Sequence, residues 1–267
     1  MQPGKLVFLH IPKTAGTSLQ GVIWKNYFPS SRFTVNAIRY PEKLETFDGK
    51  DKSKVKILTG HVPFGSHEMF GKGEAEYFTL LREPIDRTIS HYYQVIRTPQ
   101  HHFAKEMAEK KYTLKELMES GRLLYVDNLQ VRMISGDLRI PYGTVNEKNL
   151  QKAIDNLEKY FPVVGLQHQF DAMLLKLVDR YGWKFPWYRR QQVSGNRKKV
   201  SEIDAATLEA VKKYNQYDQQ LFDFVKKKLE KEYDADFLKR VERFQKKNNR
   251  LGKIVKAIPF FPAPRGD

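Results

Sequence analysis

"LVFLHIPKTAGTSLQ" (residues 6–20) is an apolar run that breaks at Pro12 into Lys13, Thr14, Gly16, Thr17 and Ser18, then continues as an amphipathic stretch. A short apolar run bounded by turn residues reads as a buried strand, and the amphipathic continuation as a helix. In a parallel sheet, ligands gather beyond the carboxyl ends of the strands. A helix starting there points its free N–H groups and its positive end outward, which suits an anion. Gly16 lets the backbone approach closely, Thr14, Thr17 and Ser18 offer hydroxyls, and Lys13 adds a point charge: the chemistry of a phosphate cradle. Plain capping of the helix by Thr17 or Ser18 accounts for the hydroxyls but not for the lysine.

The rest of the chain repeats the alternation. Segments 5–11, 55–62, 77–82 and 161–166 read as buried strands. "PIDRTISHYYQVI" (84–96) reads as a helix with Pro84 in its first turn and Ile85, Ile89, Tyr92 and Ile96 on one face. Further helical patterns cover roughly 113–135, 147–159, 168–181 and 202–232. This β-α order predicts an α/β fold: a mainly parallel β-sheet flanked by helices on both faces. No Pro/Gly/Ser-rich linker divides the 267 residues, which predicts a single domain over 1–267.

Composition narrows the partners. The chain has 47 Lys plus Arg against 31 Asp plus Glu, a formal charge of +16, which favours anionic partners. The absence of cysteine excludes a disulfide scaffold and thiol catalysis. The apolar stretch in "MQPGKLVFLHIPK" is too short for a signal peptide or anchor, so a cytoplasmic protein is expected. From 239 to 256, eight Lys or Arg accompany one acid, with Val241, Phe244, Leu251, Val255 and Ile258 at helical spacing and "IPFFPAP" following. This basic amphipathic C-terminal extension, 239–267, either lies peripherally on an anionic membrane or docks back on the domain.

Three strand ends carry chemistry. The first loop does not match G-x-x-x-x-G-K-[ST], because Lys13 precedes Gly16, which disfavours an ordinary ATPase or GTPase. In "TLLREPIDRTISHYY" (79–93), Arg82 emerges at a strand end and Ser90 follows eight residues later, so a guanidinium and a hydroxyl can converge on one phosphate. Glu83, Asp86 and Arg87 read as a solvated charge cluster. In "LTGHVPFG" (58–65), His61 ends a strand, where an imidazole can act as a general base near neutral pH. His10, ending the first strand, is its rival.

"PKTAGTS" resembles the 5′-phosphosulfate loop of sulfotransferases that use 3′-phosphoadenosine 5′-phosphosulfate (PAPS), in particular the branch of the carbohydrate 2-O-sulfotransferases and their bacterial relatives. Residues 79–93 resemble that family's 3′-phosphate segment, and 58–65 the segment carrying its base. "YVDNLQVRMISG" (125–136) is similar to a stretch of the bacterial members, and "VSGNRKKVSEID" (193–204) to the basic loop that closes over the cofactor. The resemblance implies a P-loop-like sulfotransferase fold and sulfuryl transfer from PAPS to a carbohydrate, glycolipid or polysaccharide hydroxyl, leaving 3′-phosphoadenosine 5′-phosphate (PAP). It implies His61 and Lys13 as catalytic residues. Lys13, Thr14, Gly16, Thr17, Ser18, Arg82 and Ser90 would bind the cofactor, with Arg197, Lys198 and Lys199 closing over it. On residue type alone, Arg197, Lys198 and Lys199 read equally as a solvated charge run.

Asn128 and Arg132, four residues apart on one helical face, either look into the acceptor cleft or cap buried carbonyls. In "GWKFPWYRRQQ" (182–192), aromatic faces suit sugar rings, and Arg189 and Arg190 suit carboxylate or sulfate; the same residues also fit a core with a basic rim. No metal is expected, since no H-E-x-x-H-type spacing occurs, and no nucleic acid partner is expected. The alternatives are a phosphoryl-transfer enzyme on a similar scaffold and a non-enzymatic polyanion-binding protein.

Overall fold

A computed structural model describes residues 5–38, 51–70, 74–189 and 197–254. Five strands form one sheet: β1 (Lys5–Leu9), β2 (Arg32–Asn36), β3 (Ile57–His61), β4 (Ala75–Leu81) and β5 (Val163–Leu166). Their order is β2-β3-β1-β4-β5, and every neighbouring pair is parallel. The register aligns the carboxyl ends, with Leu9 beside both Gly60 and Thr79, and Asn36 beside His61.

The chain leaves β1 through helix α1 (Gly16–Asn26) toward β2 on one side of the sheet. It leaves β4 through α2 (Pro84–Arg97), α3 (Ala104–Lys110), α4 (Leu114–Ser120), α5 (Leu129–Ser135) and α6 (Glu147–Tyr160) toward β5 on the other side. Right-handed crossovers therefore place α1 and the α2–α6 group on opposite faces. The adjacent strands β1 and β4 diverge, which opens a crevice above their carboxyl ends. After β5 come α7 (Phe170–Tyr181), α8 (Ala205–Lys213), α9 (Gln216–Glu232) and α10 (Ala235–Ile254).

Strand alternation sorts the core into two layers. Phe8 and Phe78 stack 5.2 Å apart on the α1 face, where Trp183 meets Phe78 edge-on at 5.9 Å. Tyr77 points the other way, against Phe64 at 5.0 Å and Phe161 at 5.1 Å. Each fully buried ring contributes about 2 kcal/mol from apolar burial.

The four strands read from the sequence are present. Strand β2 was not read, because its burial alternates residue by residue at the sheet edge, so "RFTVN" carries no continuous apolar run. Helix α3 was also missed. The pattern over 113–135 is not one helix: α4 ends at Gly121 (φ 65°), a single 3-10 turn spans Leu124–Val126, and α5 starts after Asn128 (φ 43°). The pattern over 202–232 divides between α8 and α9 at Tyr214 and Asn215. On α2, Val95 is buried and Ile96 faces outward at 49% exposure.

The basic carboxy-terminal helix docks on the domain. Phe237, Val241 and Phe244 of α10 are buried, Phe244 stacks on Trp187 at 5.3 Å, and Asn248 accepts a hydrogen bond from the Tyr188 backbone N–H. Arg240 pairs with Asp179 at 2.6 Å. Val241 and Phe244, the first two residues of the apolar stripe that motivated a membrane contact, are therefore covered by the protein itself, and Lys239, Arg243, Lys246 and Arg250 face outward. Val255, Ile258 and "IPFFPAP" lie outside the described residues. Among the described residues, no helix is long and apolar enough to cross a membrane.

Candidate active site

All five strands deliver a residue to one cleft of about 380 Å³: His10 just after β1, Asn36 ending β2, His61 ending β3, Arg82 just after β4 and Gln167 just after β5. Lys13, Gly16, Thr17, Ser18, Ser90 and Arg197 join the same lining. The residues singled out at three separate strand ends thus meet in one place.

The loop 10–18 is shaped for an anion. Lys13 (φ 73°) and Ala15 (φ 68°) are non-glycine residues in the left-handed region, a costly conformation that turns backbone N–H groups toward one point. Ala15 is the N-cap of α1 and makes no side-chain cap, so Thr17 and Ser18 do not serve as caps, and the first N–H groups of α1 remain for a ligand. The Arg82 guanidinium donates to the Lys13 carbonyl at 2.8 Å and to Asp86 at 2.7 Å. Burial, then Arg82, Arg97 and Arg197, pushes the Lys13 ammonium down to about 8. An anion arriving here relieves that crowding.

Two loop residues differ from their expected roles. Thr14 is fully buried and donates its hydroxyl to the Ile11 carbonyl at 2.9 Å, so it ties the loop together and does not line the cleft. At Gly16, a Cβ would lie 1.9 Å from the His10 imidazole, so the glycine is required by packing against His10 as well as by the open helix end.

His61 is positioned from several directions. Gly60 has φ 130°, and a Cβ there would stand 1.9 Å from the Val35 carbonyl oxygen, so only glycine lets β3 make this last step. The turn beyond is anchored by Tyr77, whose hydroxyl accepts the backbone N–H groups of Gly65 and His67, both at 3.1 Å. His61 Nδ1 donates to the His10 carbonyl at 2.7 Å, which fixes the tautomer and leaves the Nε2 lone pair for chemistry. Burial pushes the His61 imidazole below its usual range, with the hydrogen bond to His10 opposing. The neutral, basic form therefore prevails at neutral pH. His10 stacks on Phe8 at 5.3 Å, its ring lies 4.4 Å from that of His61, and burial holds it well below its usual range.

The described family of sulfotransferases matches residues 2–127, which contain this loop, His61, Arg82 and Ser90. Residues 2–127, slightly less than half of the chain, are thus similar to the sulfotransferase family. The heparan sulfate 2-O-sulfotransferase hst-2 of Caenorhabditis elegans is 26% identical over 100 residues, covering 33% of this chain and 31% of that protein. The chain thus spans about a third of the curated relative it matches. Two crystal structures of retinol dehydratase are similar at 14% and 13% identity: one with retinol and PAP (TM-score 0.28, 81% of each chain) and one with androsterone and inactive cofactor PAP (TM-score 0.24, 93% of this chain and 81% of that one). The strand order given above stands independently of those loose superpositions.

The charges beside Arg82 are engaged in caps and ion pairs rather than forming a solvated cluster. Glu83 caps α2 by accepting the Ile85 and Asp86 N–H groups, and Asp86 bridges Arg82 at 2.6 Å and Arg197 at 2.7 Å. Arg87 is fully buried, donating to the Tyr125 carbonyl at 3.0 Å, with Asp218 4.0 Å away. Sequence reasoning missed Asp86 as the residue that holds two site arginines together.

Asn128 and Arg132 do not line the cleft: Arg132 caps buried carbonyls, whereas Asn128 caps backbone N–H groups. The Asn128 side-chain oxygen accepts the N–H groups of Tyr217 and Asp218 at the start of α9, and the Asp218 carboxylate accepts those of Gln130 and Val131 at the start of α5. Arg132 pairs with Asp127 in full burial and donates to the Ile140 and Pro141 carbonyls. Gln130 was missed: its amide brackets the Arg82 backbone, accepting its N–H and donating to its carbonyl, both at 3.0 Å. The "DNLQ" stretch therefore positions the site from beneath.

Arg197 lines the cleft, whereas Lys198 and Lys199 are exposed outside it, and the Lys199 N–H is bound by Glu202 at 2.6 Å. Arg189 is exposed and does not line the cleft; Arg190 lies outside the described residues. His91, Gln94, His101, His102 and Tyr125 also line the cleft, a contribution only the packing of α2 against the following loop reveals.

Proposed function

We propose that this protein is a PAPS-dependent sulfotransferase that sulfates a carbohydrate hydroxyl, with His61 as general base. One observation carries the reading: the cleft that receives the His61 Nε2 also receives the uncapped, cation-lined amino end of α1. The family match over 2–127 and the name of the curated relative support the donor and the acceptor class.

The residues present fit the donor. Lys13, Thr17, Ser18 and the first N–H groups of α1 would hold the 5′-phosphosulfate, and Arg82 and Ser90 the 3′-phosphate, with Arg197 beside them. PAPS supplies an activated sulfuryl group and leaves as PAP. His61 takes the acceptor proton at Nε2, its ring held by the Nδ1 hydrogen bond, and this positioned transfer contributes roughly 10²–10⁴-fold. Lys13 and the α1 amino end stabilise negative charge that grows on the 5′-phosphate, work that costs about 10²–10³ when one donor is lost.

The test is thermal stabilisation by PAP compared with ATP plus magnesium, followed by turnover of His61→Ala on glycan acceptors. PAP is expected to raise the melting temperature more than ATP. His61→Ala is expected to keep PAP affinity and lower turnover by roughly 10²–10⁴. Preferential stabilisation by ATP plus magnesium overturns the donor assignment, and full turnover by His61→Ala moves the base to His10.

A further inference from the structure

At the edge of the sheet opposite the cleft, two phenylalanines stand in solvent. Helix α1 leaves the carboxyl ends of the strands and delivers the chain to the start of β2 at Arg32, so the turn between them lies at the far edge. Phe28 in that turn is 82% exposed, and Phe185 is 54% exposed. Asn26 clasps their two segments together: its side-chain oxygen accepts the N–H groups of Lys184 and Phe185, and its amide donates to the Phe185 carbonyl at 3.1 Å. Lys25 donates to the Trp187 carbonyl at 2.8 Å, Phe244 of α10 stacks on Trp187, and the Lys247 ammonium lies 5.1 Å from the centre of a Trp187 ring. Residues 24–32, 183–189 and 243–251 therefore meet in one surface.

Two properties set this surface apart. It carries all three tryptophans of the chain: Trp183 is buried, and Trp24 and Trp187 are half-buried. It is also free of acid, since the three stretches hold eight Lys or Arg and no Asp or Glu. Lys25, Lys184, Arg189 and Lys247 are exposed on it. Two acids that flank the stretches are already engaged, Asp179 by Arg240 at 2.6 Å and Glu76 by Arg180 at 2.9 Å.

We propose that this surface docks the protein on an anionic lipid bilayer, with Phe28 and Phe185 entering the boundary between headgroups and acyl chains and the four exposed cations paired with lipid phosphates. A single exposed ring is ordinary, but two on neighbouring turns of a tryptophan-rich, cation-rimmed surface combine the apolar and the electrostatic signal that interfacial binding requires together. Aromatic side chains favour that boundary, and each Lys or Arg beside it adds attraction to anionic lipid. A soluble polyanion would satisfy the cations and leave the rings in water. A second copy of this chain would set like charge against like. The contact is made beside α10 rather than by its apolar stripe, whose Val241 and Phe244 pack inward. Docked this way, the cleft opens away from the bilayer, so the proposal stands apart from the sulfotransferase reading.

Sedimentation of the full chain with vesicles tests it, using phosphatidylcholine alone and an equal mixture of phosphatidylcholine and phosphatidylglycerol. Partitioning at least tenfold stronger into the anionic vesicles is expected, with a blue shift of tryptophan emission and weakening as salt rises above about 0.1 M. Phe28→Ser and Phe185→Ser should each lower partitioning roughly tenfold. Lys184→Glu should lower it by about fivefold or more. All three side chains are exposed, so the Tm without vesicles should stay at the wild-type value, which separates lost docking from lost folding. Absent or equal partitioning into the two vesicle types overturns the proposal. Wild-type partitioning by both phenylalanine variants overturns it as well, because charge alone then holds the protein. Binding of a soluble sulfated polysaccharide without vesicle binding reassigns the surface to a polyanion, and Phe28-dependent self-association without vesicle binding, seen by light scattering, reassigns it to a second copy; either result overturns the lipid assignment.

Discussion

The loop at 13–18 and the "DNLQ" stretch at 127–130 are both small clusters of polar residues opening a helix, and in the folded protein their helix ends differ. At the loop, the amino end of α1 has no side-chain cap and faces the cleft. At the second stretch, Asn128 caps α9 while Asp218 caps α5, each helix end satisfied by a residue from the other. A helix end completed by the protein is scaffold, and one left incomplete stays open to a ligand. Gln130 joins the two, because its amide grips the backbone of Arg82.

The contrast is sharpest in stability. Arg132→Ala strands the buried Asp127 carboxylate, so a loss of about 3–5 kcal/mol is expected. In a chain of this size that corresponds to a fall in Tm on the order of 10 °C, read by thermal denaturation. An Arg132→Ala protein that melts like wild type and fails only in turnover would put that arginine back in the active site.

Lys13→Ala should do the reverse. Removal of one charged donor costs about 1.5–3 kcal/mol of ligand binding, roughly 10- to 150-fold in the Kd for PAP by calorimetry. The Tm of the ligand-free protein should not fall, because the lysine is crowded by Arg82, Arg97 and Arg197. A comparable loss of Tm in Lys13→Ala and Arg132→Ala would erase the distinction between site and scaffold.

The smallest effect is on pH dependence. Lys13 in the empty cleft carries its proton below about 8 and loses it above. PAP affinity should therefore weaken as pH rises through 8, by at most about tenfold per unit. Lys13→Ala should flatten that limb, and an unaltered limb would assign it to another group.

His61 and Arg82 were legible because each ends an apolar strand, and strand ends in a parallel sheet converge on one rim. Strand β2, with its Asn36, was not, since an edge strand needs no apolar run. Asp86 looked like a surface charge, and only the arrival of Arg197 from more than a hundred residues away makes it a bridge.

The sequence by itself determined the β-α alternation and the loop after β1, because hydrophobic period and turn chemistry are local properties of the chain. Tertiary structure decided which polar residues are used up. Thr14 and Thr17 stand three residues apart with the same hydroxyl, yet Thr14 is buried against Ile11 and Thr17 lines the cleft. His10, His61 and His91 share one side chain and acquire three settings: packed under Gly16, pinned by a carbonyl, and buried without a partner. A hydrogen-bonding group becomes structural or functional according to whether a distant segment satisfies it, and those partners are brought in only when the chain folds.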